Sequence, residues 1–167
     1  MIKNTAKLIT ASLADIASIQ AVVREVWPIA YKEMITQEQI DYMLDMMYSD
    51  ASLKKQMLED GCEFILAKEE NVVVGFAGYQ KMNDCIFKLH KLYVLSSQQG
   101  KGTGKLLLDE VCSRSKSRGG ISLELQVNKK NIARKFYEKN DFDVESELQL
   151  DIGEGYIMDD FVMRRIL

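Results

Sequence analysis

Apolar positions along the chain change their spacing several times, and the changes divide it into helical and extended blocks. Lys7 to Thr10 reads as a first short strand. From Ser12 or Ala14 onward, Ile16, Ile19, Val22, Val23 and Val26 recur every three or four residues, the spacing of one helix face. Pro28, the only proline, predicts a break or kink there, because it has no amide proton and crowds the preceding turn. Thr36-Gln37-Glu38-Gln39 has the form of a capping box, with Thr36 as N-cap and Gln39 at the third helical position. The helix it opens carries Ile40, Met43, Leu44 and Met47, and a further short helix is predicted over Leu53 to Leu58.

The spacing then shortens. Cys62 to Lys68 and Val72 to Tyr79 are apolar runs around Glu69-Glu70-Asn71 and predict a hairpin. Ile86 to Leu95, rich in β-branched and aromatic residues, predicts a third strand. A polar glycine loop follows, then a helix with Leu107, Leu108, Val111 and Cys112 on one face and Asp109, Glu110, Arg114 and Lys116 on the other. Gly119-Gly120 ends it as a C-cap. Ile121 to Val127 reads as a strand. Asn131 to Lys139 reads as a helix with Ile132, Ala133, Phe136 and Tyr137 on one side. Phe142 to Leu150 and Tyr156 to Ile166 close the chain as strands. This order predicts an α+β fold with a mixed sheet, and the absence of a linker-like stretch predicts a single domain over residues 1–167.

Composition narrows the functional classes. Hydrophobic residues make up 47% of the 167 and charged residues 28%, a globular balance that argues against disorder. A formal net charge of −3 with only short basic clusters argues against a nucleic-acid partner. Cys62, Cys85 and Cys112 fit neither a disulfide framework nor a zinc pattern and read as reduced thiols. With no apolar leader after Met1 and no run long enough to span a bilayer, a cytoplasmic protein without a membrane partner is expected. His90 is the only histidine, so no metal is expected.

Candidate chemistry enters between Leu92 and Lys105, where Gln98-Gln99-Gly100-Lys101-Gly102-Thr103-Gly104 lies between a predicted strand and a predicted helix. Glycine permits tight turns and close backbone approach, and the amides and dipole of a helix start attract anions. The segment is therefore a candidate pyrophosphate cradle. A Walker A loop does not fit, since Gln99 stands where its first glycine belongs and Leu106 follows Lys105. A dinucleotide fingerprint begun at Gly100 meets Lys105 at its third glycine. The pattern Q/R-x-x-G-x-G/A is met by Gln99, Gly102 and Gly104. Taken alone, the loop reads equally well as a glycine-rich surface turn; the flanking elements and a second motif favour a ligand site.

That second motif is the run Val127-Asn128-Lys129-Lys130-Asn131-Ile132-Ala133-Arg134-Lys135-Phe136-Tyr137-Glu138-Lys139-Asn140-Asp141-Phe142. With the loop, it resembles the GNAT superfamily of acetyl-CoA-dependent N-acetyltransferases, whose pyrophosphate motif is Q/R-x-x-G-x-G/A. The run is similar to the family's V-N-x-x-N-x-x-A-x-x-F-Y-E-K-x-G-F form, with one residue fewer between Asn131 and Ala133 and with Asp141 in place of the usual glycine. The likeness covers Val72 to Phe142. It implies a GNAT-like central mixed, mostly antiparallel β-sheet flanked by helices, with acetyl-CoA as co-substrate. By the same resemblance, the backbone of Leu92, Tyr93 and Val94 meets the pantetheine arm. Gln99, Gly100, Lys101, Gly102, Thr103 and Gly104 hold the pyrophosphate, with Lys105 close by. Asn131 contacts the cofactor, although an N-cap would use it equally well. Tyr137 matches the general acid that protonates the leaving thiolate; the competing reading is a core aromatic beside Phe136.

A primary amine near pKa ~10.4 must lose a proton before it attacks. His90, Glu124 or a water molecule could take it, and the base stays open. Transfer is expected to be direct, so the cysteines are read as structural. Glu33, Asp41, Asp45, Asp50, Asp159 and Asp160 could pair with a polyamine or another small cationic amine, or form a solvated acidic face. Trp27 to Ile35 and Gly155 to Met163 resemble bacterial spermidine/spermine acetyltransferases. Acetylation of peptide N-termini and a non-catalytic acetyl-CoA sensor are the alternatives. Met43, Met46 and Met47 suit core filling, an adaptable pocket or a dimer contact, and homodimers are common in the superfamily.

Overall fold

A computed structural model describes residues 4–167; Met1 to Lys3, the start of the stretch read above for a leader, lie outside the described residues. The strands are β1 (Lys7–Thr10), β2 (Cys62–Glu69), β3 (Val72–Lys81), β4 (Ile86–Val94), β5 (Ser122–Asn128), β6 (Asp143–Asp151) and β7 (Ile157–Ile166). The helices are α1 (Ile16–Ala30), α2 (Gln37–Tyr48), α3 (Asp50–Leu58), α4 (Thr103–Ser117) and α5 (Ala133–Glu138). The strands form one sheet in the order β1-β2-β3-β4-β5-β7-β6. Every neighbouring pair is antiparallel except β4 and β5, which are parallel and joined by the α4 crossover, as parallel neighbours require. The expected α+β fold with its mixed, mostly antiparallel sheet is therefore observed.

Helices cover both faces, which explains why β2 and β3 read as unbroken apolar runs. On one face Leu107, Leu108 and Val111 of α4 pack on Ile65, Ala77, Phe87, Leu89 and Leu123. On the other, α1 to α3 bury Ile19, Trp27, Ile40 and Leu53 against Phe64, Leu66 and Phe76. The closing hairpin of β6 and β7 is tied to α2 by Tyr42, whose hydroxyl donates to the Ile152 carbonyl at 2.7 Å.

Four local expectations change. α1 runs through Pro28 to Ala30; in a helix's last turns a proline forfeits a single amide bond, and the buried Trp27 anchors the turn. At Thr36 only half of a capping box forms: its hydroxyl accepts from the Gln39 amide at 3.2 Å, while the Gln39 side chain turns to the Met43 sulfur. The reciprocal box stands instead at Ser12 and Asp15. Ile132 lies one residue before α5 and is 83% exposed, so it is not on that helix's apolar face.

The fourth change matters most for function. Gly78 faces Lys91 and Tyr79 faces Leu89, which leaves His90 as an extra, bulged residue in β4. A bulge reverses the side-chain alternation beyond it. Regular alternation along β4 would put Lys88, His90 and Leu92 on one face; with the bulge, Lys88 and Leu92 fall on opposite faces, Leu92 packing with the α4 core while Tyr93 turns to the α1–α3 core.

Phe76 is fully buried in the middle of β3, against Tyr48, Phe64 and Tyr93. Phe76→Ala is expected to cost about 3–5 kcal/mol in urea unfolding. Val72→Ala, at the exposed start of the same strand, is expected to stay within about 0.5 kcal/mol.

Candidate active site

Pairing between β4 and β5 ends at Leu89 and Leu125, although β5 continues to pair with β7 as far as Asn128 and Asp160. Past that point the β4 edge over residues 90–94 has no strand partner on this side, and its backbone groups are open to a ligand. The gap is the floor of a cleft of about 660 Å³, roofed by α1, α2 and α5. That volume lies within the range of small-ligand sites.

The glycine loop enters the cleft from one side. Ser96 to Gln98 form a single 3₁₀ turn, and Gly100 and Gly102 adopt φ of +77° and +81°. Gly102 is the N-cap of α4. The amides of Gly102, Thr103, Gly104 and Lys105 have no backbone acceptor among the described residues, as expected for a first helical turn. The loop is braced from beneath. Gln98, 3% exposed, donates to Glu69 at 2.6 Å and accepts from the Thr103 hydroxyl at 2.9 Å. Asn4 donates to the Lys101 carbonyl at 3.1 Å. A diphosphate would thus meet preformed, unpaired amides with no side chain in front of them.

Leu92, Tyr93, Val94, Gln99, Gly104 and Asn131 line the cleft, and so does Tyr137. Gly100, Lys101, Gly102, Thr103 and Lys105 do not. The Thr103 side chain is fully buried in the brace, which leaves only its amide for a ligand, and the Lys105 ammonium is held by Asp109 at 2.6 Å. Asn131 acts as a local cap, its Oδ1 accepting from the Ala133 amide at 2.8 Å. Tyr137 packs edge-on against Phe136 and Phe142. Burial, with a smaller contribution from Tyr31, raises its phenol well above the ordinary range.

The two side chains considered as base fare poorly. Glu124 is ion-paired with Arg164 and does not line the cleft. His90 lines it, but its Nε2 is 2.9 Å from Gln80 Oε1, and partial removal of the ring from water, with Lys91 and Lys88 beside it, lowers its pKa although the residue as a whole is exposed. A carboxylate read from the sequence only as a cation partner does stand in the cleft. Asp160, 3% exposed on β7, lines the cleft and is pushed up to about 6, mainly by burial and also by Asp159, with Lys88 opposing. The available signal was an acid between Met158 and Val162, at an inward position of a strand. Asp41, Asp45, Asp50 and Asp159 are not in the cleft wall, whereas Met43 and Met47 are.

Cys62 and Cys112 are buried, and Cys85 is exposed. No group of three metal-ligating side chains occurs among the described residues, and none of their helices is long and apolar enough to cross a membrane.

Known proteins resemble this arrangement. The family model of the acetyltransferase (GNAT) domain matches residues 31–153. A spermidine N(1)-acetyltransferase of Thermoplasma acidophilum is 27% identical over 153 residues, covering 89% of this chain and 92% of that protein. An uncharacterized N-acetyltransferase of Mycobacterium tuberculosis is 26% identical over 156 residues, covering 93% and 99%. The crystal structure of the PaiA N-acetyltransferase from Thermoplasma acidophilum with coenzyme A superposes with a TM-score of 0.84 at 24% identity, over 98% of this chain and all of that one.

The two glycines at the α4 entrance should behave differently. Gly102→Ala places a side chain at φ +81° and is expected to lower stability by about 1 kcal/mol in thermal unfolding without ligand. At Gly104 an added Cβ makes only ordinary contacts, 3.7 Å from Phe136, so Gly104→Ala should unfold at or above the wild-type temperature.

Proposed function

The chain belongs to the GNAT acetyltransferase family, and from that premise we propose that it acetylates the primary amine of a small molecule, with Asp160 receiving the amine's proton and Tyr137 facing the departing sulfur. Acetyl-CoA-dependent N-acetyl transfer is the activity of the family and its named relatives. The observation that carries the two assignments is that Asp160 and Tyr137 line one cleft, entered by the glycine loop and floored by the open edge of β4.

Acetyl-CoA, when bound, supplies the thioester carbon that an amine attacks and the thiolate that leaves. The loop amides from Gly102 to Lys105 would hold its pyrophosphate, with Gln99 at the cleft wall, and the backbone of Leu92 to Val94 its pantetheine arm. With its pKa near 6, Asp160 is ionised at pH 7–8. The nucleophile is the neutral amine, which has already given the ammonium's extra proton to water; as its lone pair forms the N–C bond the nitrogen becomes strongly acidic, and Asp160 takes the proton it then sheds. Tyr137, with its pKa raised by burial, stays protonated throughout the working range. It is always ready to donate, and full transfer to sulfur is favoured only where the thiolate is equally cut off from water.

For the acceptor, a polyamine has in its support the carboxylate of Asp160 and the name of the Thermoplasma relative. Lys88 and Lys91 in the same cleft weigh against several ammonium groups.

Tyr137→Phe is expected to lower kcat by ~10²–10⁴-fold, the usual worth of a positioned acid, with acetyl-CoA affinity unchanged in calorimetry. Turnover at the wild-type rate would remove Tyr137 from the chemistry. For Asp160, kcat/KM should climb with pH through about 6 in the wild type, because the carboxylate must be ionised to act as base. That rising limb should vanish in Asp160→Asn; its persistence would point to a different base.

A further inference from the structure

Lys91 is a cleft residue whose setting the transfer reaction leaves unexplained. The bulge at His90 turns it into the α1–α3 face, among Cys62, Phe64 and Tyr48. Removal from water lowers its pKa, with Cys62 opposing, and no carboxylate among the described residues counters that effect. The Tyr48 and Phe64 rings, 5.3 and 5.9 Å from its Nζ, offset part of the cost. Its hydrogen bond goes to Gln56 Oε1 at 2.7 Å. Gln56 is itself fixed: its Nε2 donates to the Met47 carbonyl at 2.8 Å and to the Ser52 hydroxyl at 3.0 Å, so its oxygen must face Lys91. The ammonium is thus held in place, with N–H bonds to spare.

A second group points the same way. Trp27 is 2% exposed, lines the same cleft and packs 5.7 Å from Tyr48; the Tyr48 hydroxyl lies near enough to interact with its indole N–H, but no well-formed hydrogen bond satisfies that donor among the described residues. A buried donor without an acceptor is costly and uncommon in a folded protein. Both donors lack an acceptor of matching charge. Among the described residues, the charged side chains that line the cleft are Lys88 and Lys91 against Asp160, and the same two lysines favour the neutral form of His90.

We infer that the acceptor amine carries a carboxylate, received by the Lys91 ammonium and the Trp27 indole N–H, while its amino group lies toward Asp160. The acceptor class is then amino acids and related amino-carboxylates. This rests on the reading of the cleft as the acceptor site.

The test is calorimetric binding to the full chain saturated with CoA. The probes are L-leucine, L-phenylalanine and L-glutamate, each against its own amide, and spermidine. At least one acid should bind about tenfold or more tightly than its amide, the worth of one charge-assisted hydrogen bond. Lys91→Met should erase that preference, and Trp27→Phe, which keeps the ring and removes the donor, should weaken it. Lys91→Met should melt at or above the wild-type temperature, because it removes a desolvated charge; were it not to fold, Trp27→Phe alone decides. The inference is overturned if no acid is distinguished from its amide, if the preference survives both substitutions, or if spermidine alone binds. An acid preference without acetyl transfer would keep the carboxylate site and remove the transfer reading, so the two fail separately.

Discussion

Parallel pairing between β4 and β5 stops at Leu89 and Leu125, and the cleft is arranged around that stop. Strand edges inside a domain are normally paired or covered, because an unpaired amide or carbonyl away from water is costly. Here the edge over residues 90–94 stays open while its neighbour β5 is held by β7 on the far side. The bulge at His90 sits where pairing ends. It adds local twist, and it reverses the side-chain parity that brings Lys91 and Tyr93 to the acceptor face.

The glycine loop depends on the same point, since it follows directly from the open strand. Its conformation does not come from glycine alone. Gln98 and Thr103, both buried, join the half-buried Asn4 and Glu69 in a polar network under the turn, so that the amides of the first helical turn face a ligand rather than the protein. A loop ordered in advance spends less of its binding free energy on ordering.

Electrostatics give the acceptor half of the cleft its character. Asp160 is held above its ordinary range, so its ionisation opposes folding: that cost is absent below the unfolded pKa and complete above about 6. Lys91 is a desolvated cation with no carboxylate among the described residues to answer it, and Trp27 carries an indole N–H met at best weakly by the Tyr48 hydroxyl. Such groups lower stability, and in a ligand cleft they are the groups that a bound molecule would satisfy.

Much of the fold was legible in the chain, because the period of apolar residues reports which faces are buried, and burial is what makes a helix or a strand here. The seven strands and five helices fall within a few residues of the pattern, and Gln99, Gly102 and Gly104 marked the anion loop through local backbone chemistry. Misjudged features depended on neighbours. Pro28 stays inside α1 because Trp27 is anchored by other elements, and Thr103 faces inward because Gln98 and Asn4 are there to receive it. Glu124 is removed from the list of bases by Arg164, forty residues away. The sequence by itself determined the elements and the glycine loop, which are properties of contiguous residues. Only the tertiary structure decided that Asp160, Tyr137, Lys91 and Trp27 share one cavity, because a bulge, a ladder that ends early and a buried carboxylate arise from contacts between distant segments, which no local pattern records.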